Sequence, residues 1–224
     1  MRNYIYAEKH FNFIDRIVEN RREKFFNFMK SKINFRELNS YLDIGTTQDE
    51  AHKSSNYLNK KFDFIKLHKS ISDQKILDKR FSSVLQKSIT SSFSMEEISL
   101  FKSDFVIANA TIEHVGSLEN QLKMVQNMIS LTKKVMVIQT IYRFFPIDTH
   151  TKLPLIHLLP KEMHRKIIKF LGYDYYSLEE NLNMLGMKDM ENILNNYNHF
   201  INFKIYKIRT FGLVSNILAI CHKK

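Results

Sequence analysis

The spacing of apolar residues changes several times along the chain, and each change marks an element. Over residues 10–35, Phe11, Ile14, Val18, Phe25, Met29 and Ile33 recur at intervals of three, four and seven, with Arg16, Arg21, Arg22, Lys24 and Lys30 facing elsewhere. That period predicts an amphipathic helix packed over a sheet; a lid over a substrate pocket and a membrane-surface helix are the sharper alternatives. Tyr41-Leu42-Asp43-Ile44 then reads as a short buried strand that breaks at Gly45 into the hydroxylated pair Thr46 and Thr47. Gln48 to Asn59 is polar and poorly patterned, which predicts a loop plus a short helix. Phe62 to Leu67 alternates as a second strand ending near Lys69-Ser70-Ile71-Ser72-Asp73. Val84-Leu85-Gln86 is a third, followed by a Ser-rich stretch from Ser88 to Ser92.

Phe105-Val106-Ile107-Ala108, bounded by Asp104 and Asn109, is a continuous apolar run of the kind found in strands buried on both faces. Ser117 follows as a helix N-cap with Glu119 in the first turn and Leu118, Leu122, Val125 and Ile129 as the buried face. Val135 to Ile138 is the next strand. Strand, helix, strand in this order implies a right-handed crossover and a parallel pair, so both strand ends open on one side. Beyond Ile138 a long loop, rich in Pro, His and aromatics, runs to Pro160. Loops of that length are usually functional or disordered, and the apolar content here argues against disorder. Met163, Ile167 and Leu171 return to helical spacing before Gly172. Ser177-Leu178-Glu179-Glu180 carries a capping-box signature for a short helix ending at Gly186. Met187, Met190, Leu194 and Tyr197 are helical, Ile201, Phe203 and Ile205 alternate as a strand, and Asn216 to Cys221 is a last one.

In open α/β sheets, ligands bind just beyond the carboxyl ends of the strands, where a tight turn lets backbone approach. Asp43 and Gly45 stand where a first-strand loop of that kind needs them. A second stretch, Asp104 to Ser117, contains Asn109-Ala110-Thr111-Ile112-Glu113-His114-Val115-Gly116. Together the two resemble the class I S-adenosylmethionine-dependent methyltransferases, in particular the group whose central motif reads DxVxxNAxxEHVGS. The segment Phe144 to Pro160 also looks like the loop after the fifth strand in one subgroup. The resemblance runs from about Leu42 to Ala219. It implies a Rossmann-like sheet, mostly parallel, with an antiparallel C-terminal edge hairpin and helices on both faces. One domain is expected over 1–224, with 1–40 as a helical extension and 139–198 as the acceptor-side loop and helices.

The resemblance implies S-adenosyl-L-methionine as cofactor, with Asp43, Gly45, Thr46 and Thr47 at the first loop. Asn109 and Ala110 are expected to give backbone contacts to its methionine part. An acidic residue about 20 positions past the glycine loop takes the ribose hydroxyls in dinucleotide folds. Asp63 satisfies the count but would begin the second strand; Asp73, which follows it, is the better placed, with Ser72 beside it. Where the family carries an acidic adenine partner, this chain offers only Ser88 and Ile89, and where the family carries Asp-x-Gly-x-Gly it has Asp43-Ile44-Gly45-Thr46-Thr47. His114 and His150 are the candidate catalytic residues, with Tyr142 and His150 at the acceptor; helix-start structural roles are the alternative for Glu113 and His114. Ala110 occupies the first Glu position of the Glu-x-x-Glu-His pattern of metal-dependent relatives, so no metal is expected. His150, His157 and His164 recur every seventh residue, but Pro154 and Pro160 interrupt any helix that would align them.

The bulk numbers narrow the class without choosing an acceptor. At 224 residues the chain suits one well-buried α/β domain, and 44% hydrophobic content excludes wholesale disorder. The formal charge of +11 invites RNA or an anionic membrane, yet Lys and Arg are scattered rather than clustered. A single cysteine, Cys221, excludes an intrachain disulfide and suits a reducing compartment. With no signal-like or membrane-spanning apolar stretch, a cytoplasmic protein is expected. The expected activity is methyl transfer to an O or N atom of a small or medium-sized acceptor. An RNA methyltransferase and a cofactor-binding protein without activity are the alternatives. Oligomeric state is not legible in the pattern.

Overall fold

Apolar runs too short for helices and closed by Gly or polar residues become strands stacked side by side. The computed structural model describes residues 12–47 and 57–224. Among these, β1 (Ser40–Ile44), β2 (Leu67–Ser72), β3 (Ser83–Gln86), β4 (Ser103–Asn109), β5 (Thr132–Ile141), β6 (Ile201–Thr210) and β7 (Leu213–Lys223) form one sheet in the order β3-β2-β1-β4-β5-β7-β6. The first five pair in parallel, while β7 runs antiparallel to β5 and β6. The chain winds outward from β1 through β2 to β3, then crosses back to β4 beside β1. The winding therefore reverses between β1 and β4, and in open α/β sheets ligands bind beyond the carboxyl ends at such a reversal.

Strand alternation sorts the side chains onto two faces. Leu42, Ile44, Val106, Ala108, Met136 and Ile138 pack with Met124, Val125 and Met128 of α4 (Leu118–Leu131) and with Met190, Ile193 and Leu194 of α7 (Met187–Asn195). Tyr41, Phe105, Ile107, Val135 and Val137 point the other way, toward Phe25, Phe26 and Met29 of α1 (Asn12–Lys32). Phe62 sits at the centre of this second layer, its ring 5.1 Å from Tyr41, 5.1 Å from Phe105 and 5.4 Å from Phe35. Each such buried aromatic contributes roughly 1.5–3 kcal/mol through area alone. The described part of α1 is thus a helix packed over the sheet; the side chains of Phe11, Ile14 and Val18, and most of Gln48 to Asn59, lie outside the described residues. No helix among the described residues is long and apolar enough to cross a membrane.

Several element boundaries differ from the sequence expectation. Phe62 to Leu67 is not the second strand: α2 (Tyr57–Lys61) ends in a turn there, and β2 begins at Leu67. The hydrophobic alternation misleads because β2 buries polar residues. His68 Nε2 meets the Ile65 carbonyl at 2.9 Å, and Lys69 Nζ donates to the Leu100 carbonyl at 2.6 Å. α3 (Met95–Phe101), absent from the sequence reading, starts at a capping box between Ser94 and Glu97. At Ser177 the same signature starts no helix. The short α6 (Asp174–Ser177) ends there, because tertiary hydrogen bonds take the following backbone. In α5 (Lys161–Phe170) the buried positions are His164 and Ile168, while Met163 and Leu171 are exposed. In α4 Leu118 is likewise exposed, and Met124 and Met128 supply the core in its place.

Candidate functional site

The loops that follow β1 and β4 meet at the point where the winding reverses. The strands end level, with Ile44 opposite Ala108. Gly45 then turns with φ of +82°, and its N–H donates to the Ile71 carbonyl at 2.9 Å. Thr111, just past β4, lies directly against it: a Cβ added to Gly45 would sit 2.6 Å from Thr111 Oγ1. The Thr111 hydroxyl donates to the Ile44 carbonyl at 3.1 Å, stitching the two tips together. Ala110 has φ of +53° and donates its N–H to the Gln139 carbonyl at 2.9 Å. A non-glycine residue in this region costs of order 1–3 kcal/mol and persists only where surrounding structure imposes it, a pattern that clusters at ligand sites.

Asp43 is buried, and its carboxylate is taken up inside the loop. It accepts from the hydroxyl of Thr46, from Asn59 Nδ2 at 3.2 Å and from the Tyr41 hydroxyl at 3.3 Å. Burial pushes its pKa up, and the three hydrogen bonds oppose that shift. Thr46 in turn receives the Ser70 hydroxyl at 2.8 Å on its Oγ1 and the Ser72 hydroxyl at 2.6 Å on its carbonyl. Ser72, expected beside the ribose, therefore has its hydroxyl engaged in fixing the first loop. Asp73 is exposed immediately after β2, and Thr47 is half-buried. Beyond β3, Ser88 is hydrogen-bonded to Thr90 at 2.9 Å, while Ile89 is buried and its carbonyl accepts from Asn127 Nδ2 at 2.6 Å. The residues expected at the cofactor thus lie along the carboxyl edges of β1, β2, β3 and β4, which run side by side in the sheet.

The second group of candidates gathers where a 3-10 turn at Ile112–His114 faces the loop after β5. His114 and His150 pack ring against ring with centroids 5.0 Å apart, and the Tyr176 ring lies 5.6 Å from His150. The His114 Nδ1 donates to the Asn181 carbonyl at 2.7 Å, since a carbonyl only accepts. His150 Nδ1 faces Asp148 Oδ1 at 3.0 Å, and Asp148 is itself anchored by the Thr151 hydroxyl at 2.7 Å. Both rings are thereby fixed through Nδ1. Burial, with the neighbouring His150, lowers the His114 pKa. Burial opposes charge on His150 too, but the hydrogen bond and charge of Asp148 outweigh it and raise its pKa; burial likewise resists ionisation of Asp148, which His150 and Thr151 nonetheless hold below the usual carboxylate range. Glu113 completes the group: the ligand atoms of Glu113, His114 and His150 lie within 4.8 Å of one another.

Not every candidate joins this group. Tyr142, expected near His150, packs on Phe144 with ring centroids 5.5 Å apart and pairs with Leu185 in an isolated bridge. His157 and His164 form a separate pair at 6.5 Å, so the seven-residue spacing splits between two places. These two line a cleft with Arg143, Lys161, Arg165 and Asn183. Asn183 joins that cleft to the His114 turn: its N–H donates to the Glu113 carbonyl at 2.7 Å, and its side-chain oxygen accepts from Lys161 Nζ at 2.6 Å. Tyr176, Asn181 and Asn183 were not singled out in the sequence. Their parts depend on long-range contacts that no local pattern encodes.

No family model and no curated protein matches the chain. Solved structures match its fold. Magnesium protoporphyrin IX methyltransferase from Synechocystis, with bound SAM, has a TM-score of 0.54 at 10% identity, covering 99% of this chain and 88% of that one. The N-methyltransferase NodS from Bradyrhizobium japonicum gives 0.53 at 9% identity, over 93% and 97% of the two chains. A SAM-dependent methyltransferase from Archaeoglobus fulgidus gives 0.53 at 14% identity, over 93% and 94%. At these identities the likeness is one of fold: the seven-stranded, Rossmann-like sheet of class I methyltransferases.

Proposed function

We propose that the chain is an S-adenosyl-L-methionine-dependent methyltransferase acting on an O or N atom of a small or medium-sized acceptor. The observation that carries this reading is the convergence of the β1 and β4 tips, where Gly45 and Thr111 touch at the reversal of winding. The residues there fit such a cofactor: Gly45 and Ala110, both at positive φ, present backbone at the crevice where open α/β sheets bind ligands. Matched structures carry SAM or SAH. In this reading Gly45 to Thr47 with Asn109 and Ala110 flank the methionine part, Ser72 and Asp73 the ribose, and Ser88 and Ile89 the adenine. Asp43 acts through the shape of the loop, since its carboxylate is engaged with Tyr41, Thr46 and Asn59.

The cofactor supplies a methyl group already activated by a positive sulfur. What remains for the protein is orientation, which can contribute on the order of 7–11 kcal/mol, and exclusion of water. Within the single domain 1–224, the segment 139–198 forms the acceptor wall. The Nε2 atoms of His114 and His150 are the reacting positions of that wall, where the acceptor atom is held and its proton leaves.

Calorimetry with S-adenosylhomocysteine tests the cofactor half, and absence of binding sinks the proposal. A screen of metabolite pools for mass shifts of one methyl, run beside a pool of RNA, tests the acceptor half. Labelled RNA with salt-sensitive affinity would replace the small acceptor by a nucleic acid, the alternative that the +11 charge favours. Tight binding with no product in either pool would leave a cofactor-binding protein without activity.

A further inference from the structure

The least satisfied polar group near the acceptor wall is Glu113. It is fully buried, yet neither carboxylate oxygen has a hydrogen-bond partner. Burying a carboxylate without compensation is costly, so groups of this kind are paired or coordinate metals. The neighbouring His114 and His150 offer Glu113 no Nδ1–H, because both of those atoms are engaged elsewhere. His114 is held by the Asn181 carbonyl and His150 by Asp148, both through Nδ1. Fixing one ring nitrogen by a carbonyl or carboxylate leaves the other as a lone-pair donor, the usual arrangement around a metal-bound histidine.

We propose that Glu113, His114 and His150 bind a divalent transition-metal ion. Two histidines and one carboxylate make a three-ligand set, which leaves coordination positions for water or substrate as catalytic sites do. Imidazole ligands favour Zn²⁺ and its first-row neighbours over Mg²⁺ or Ca²⁺. Metal bonds of about 2.1 Å at tetrahedral angles need ligand atoms roughly 3.4 Å apart. The present ligand atoms all lie within 4.8 Å of one another, so the site must contract by an ångström or so on taking up the ion. The ligand count taken from the Glu113-His114 motif was short because the third ligand comes from the loop after β5. Glu113 and His114 follow the β4 tip within a few residues, so the ion lies on the edge of the sheet assigned to the cofactor. If the methyl-transfer reading holds, an acceptor oxygen or nitrogen completes the coordination. The ion would then lower the acceptor's pKa so that its proton passes to solvent water, and His114 would serve as a ligand in place of the base.

The test is metal uptake by the full chain, stripped with a chelator and titrated with Co²⁺ in the absence of cofactor and acceptor. One ion per chain is expected, with visible absorption that Zn²⁺ abolishes. Glu113→Gln, His114→Gln and His150→Gln should each weaken uptake about 100-fold or more, and Asp148→Asn, which frees His150, by about 10–100-fold. The double variant His157→Gln/His164→Gln should leave uptake unchanged. Failure of the wild-type chain to take up stoichiometric Co²⁺ would overturn the proposal, whatever the variants do. So would loss of uptake in the His157/His164 variant with retention in the Glu113 variant. Neither result bears on S-adenosylhomocysteine binding, so this proposal and the methyl-transfer reading fail separately.

Discussion

Replacing Gly45 by alanine tests the contact between the two strand tips. Two separable costs arise. The backbone has φ of +82°, and an alanine held in the left-handed region loses about 1–2 kcal/mol. The new methyl group would also lie 2.6 Å from Thr111 Oγ1 and 2.7 Å from its Cγ2, too close for either atom. Thr111 must leave its rotamer or give up its 3.1 Å hydrogen bond to the Ile44 carbonyl. Either concession costs roughly 0.5–1.5 kcal/mol, so the single variant should lose about 1.5–3.5 kcal/mol in all. Thr111→Ala alone should cost about 1 kcal/mol for the lost hydrogen bond. In the double variant the bulky atoms are gone, and the remaining approach of 3.2 Å to the Thr111 Cβ is relieved by a shift of a few tenths of an ångström. Its total should therefore fall about 1 kcal/mol short of the sum of the singles, beyond the 0.3–0.5 kcal/mol scatter of independent sites. Urea unfolding at equilibrium measures all three. Strict additivity would mean that the tips do not touch, and the site built on them would go with that contact.

Four further outcomes follow from other parts of the molecule. Phe62→Ala removes the ring shared by Tyr41, Phe35 and Phe105 and should cost about 3–5 kcal/mol in urea unfolding; a loss below about 1 kcal/mol would remove Phe62 from the centre of that layer. Asp78 is hydrogen-bonded to Arg80, which holds its pKa below the ordinary 3.8. Its stabilising part, about 1 kcal/mol or less at pH 7, is present above 3.8 and lost as pH falls through the lower folded value, so the unfolding free energies of wild type and Asp78→Asn should converge on acidification; divergence would reverse the sign of the pairing. Cys221 is buried with its thiol pKa pushed up, so a thiol-specific reagent should label it only at the rate of unfolding, and fast labelling of native protein would contradict its place in β7. Ser94→Ala should cost about 1 kcal/mol by removing a used N-cap, whereas Ser177→Ala removes no cap of a following helix and should leave the helical content unchanged by circular dichroism.

The contrast between Ser94 and Ser177 shows what the linear pattern could and could not convey. β1, β4 and β5 were legible as short, nearly continuous apolar runs buried on both faces, and α4 and α7 by their helical period. β2 ends where expected but starts at Leu67 rather than Phe62, because its interior positions include His68, Lys69, Ser70 and Ser72, whose polar groups are satisfied by other parts of the fold. After Ser94, Ile98 and Phe101 turn inward and the capped segment completes as a helix. After Ser177, the Asn181 carbonyl is taken by His114 and the Asn183 N–H by the Glu113 carbonyl, so a helix would have to surrender tertiary bonds. At the site, the first loop and Asn109-Ala110 were readable as strand ends. The partnership of His150 with Glu113 and His114 was not, since it depends on how Asp148 folds the loop after β5.

The departure from Asp-x-Gly-x-Gly in the first loop has a structural counterpart in side-chain hydroxyls. A second glycine would give the loop conformational freedom, at an entropic cost on folding. Thr46 instead donates to Asp43, receives Ser70 and offers its carbonyl to Ser72, so this one residue ties the loop to both β1 and β2. The polar interior of β2 and the hydroxyl-rich loop are thus one arrangement: Ser70 and Ser72 are buried in β2 because Thr46 needs partners there. Asp43, in turn, is tolerated at full burial because Tyr41, Thr46 and Asn59 satisfy it together. A loop held in this way keeps its shape before any ligand arrives. In such a loop the first strand's acidic residue holds the shape of the turn after β1, its carboxylate already engaged by Tyr41, Thr46 and Asn59.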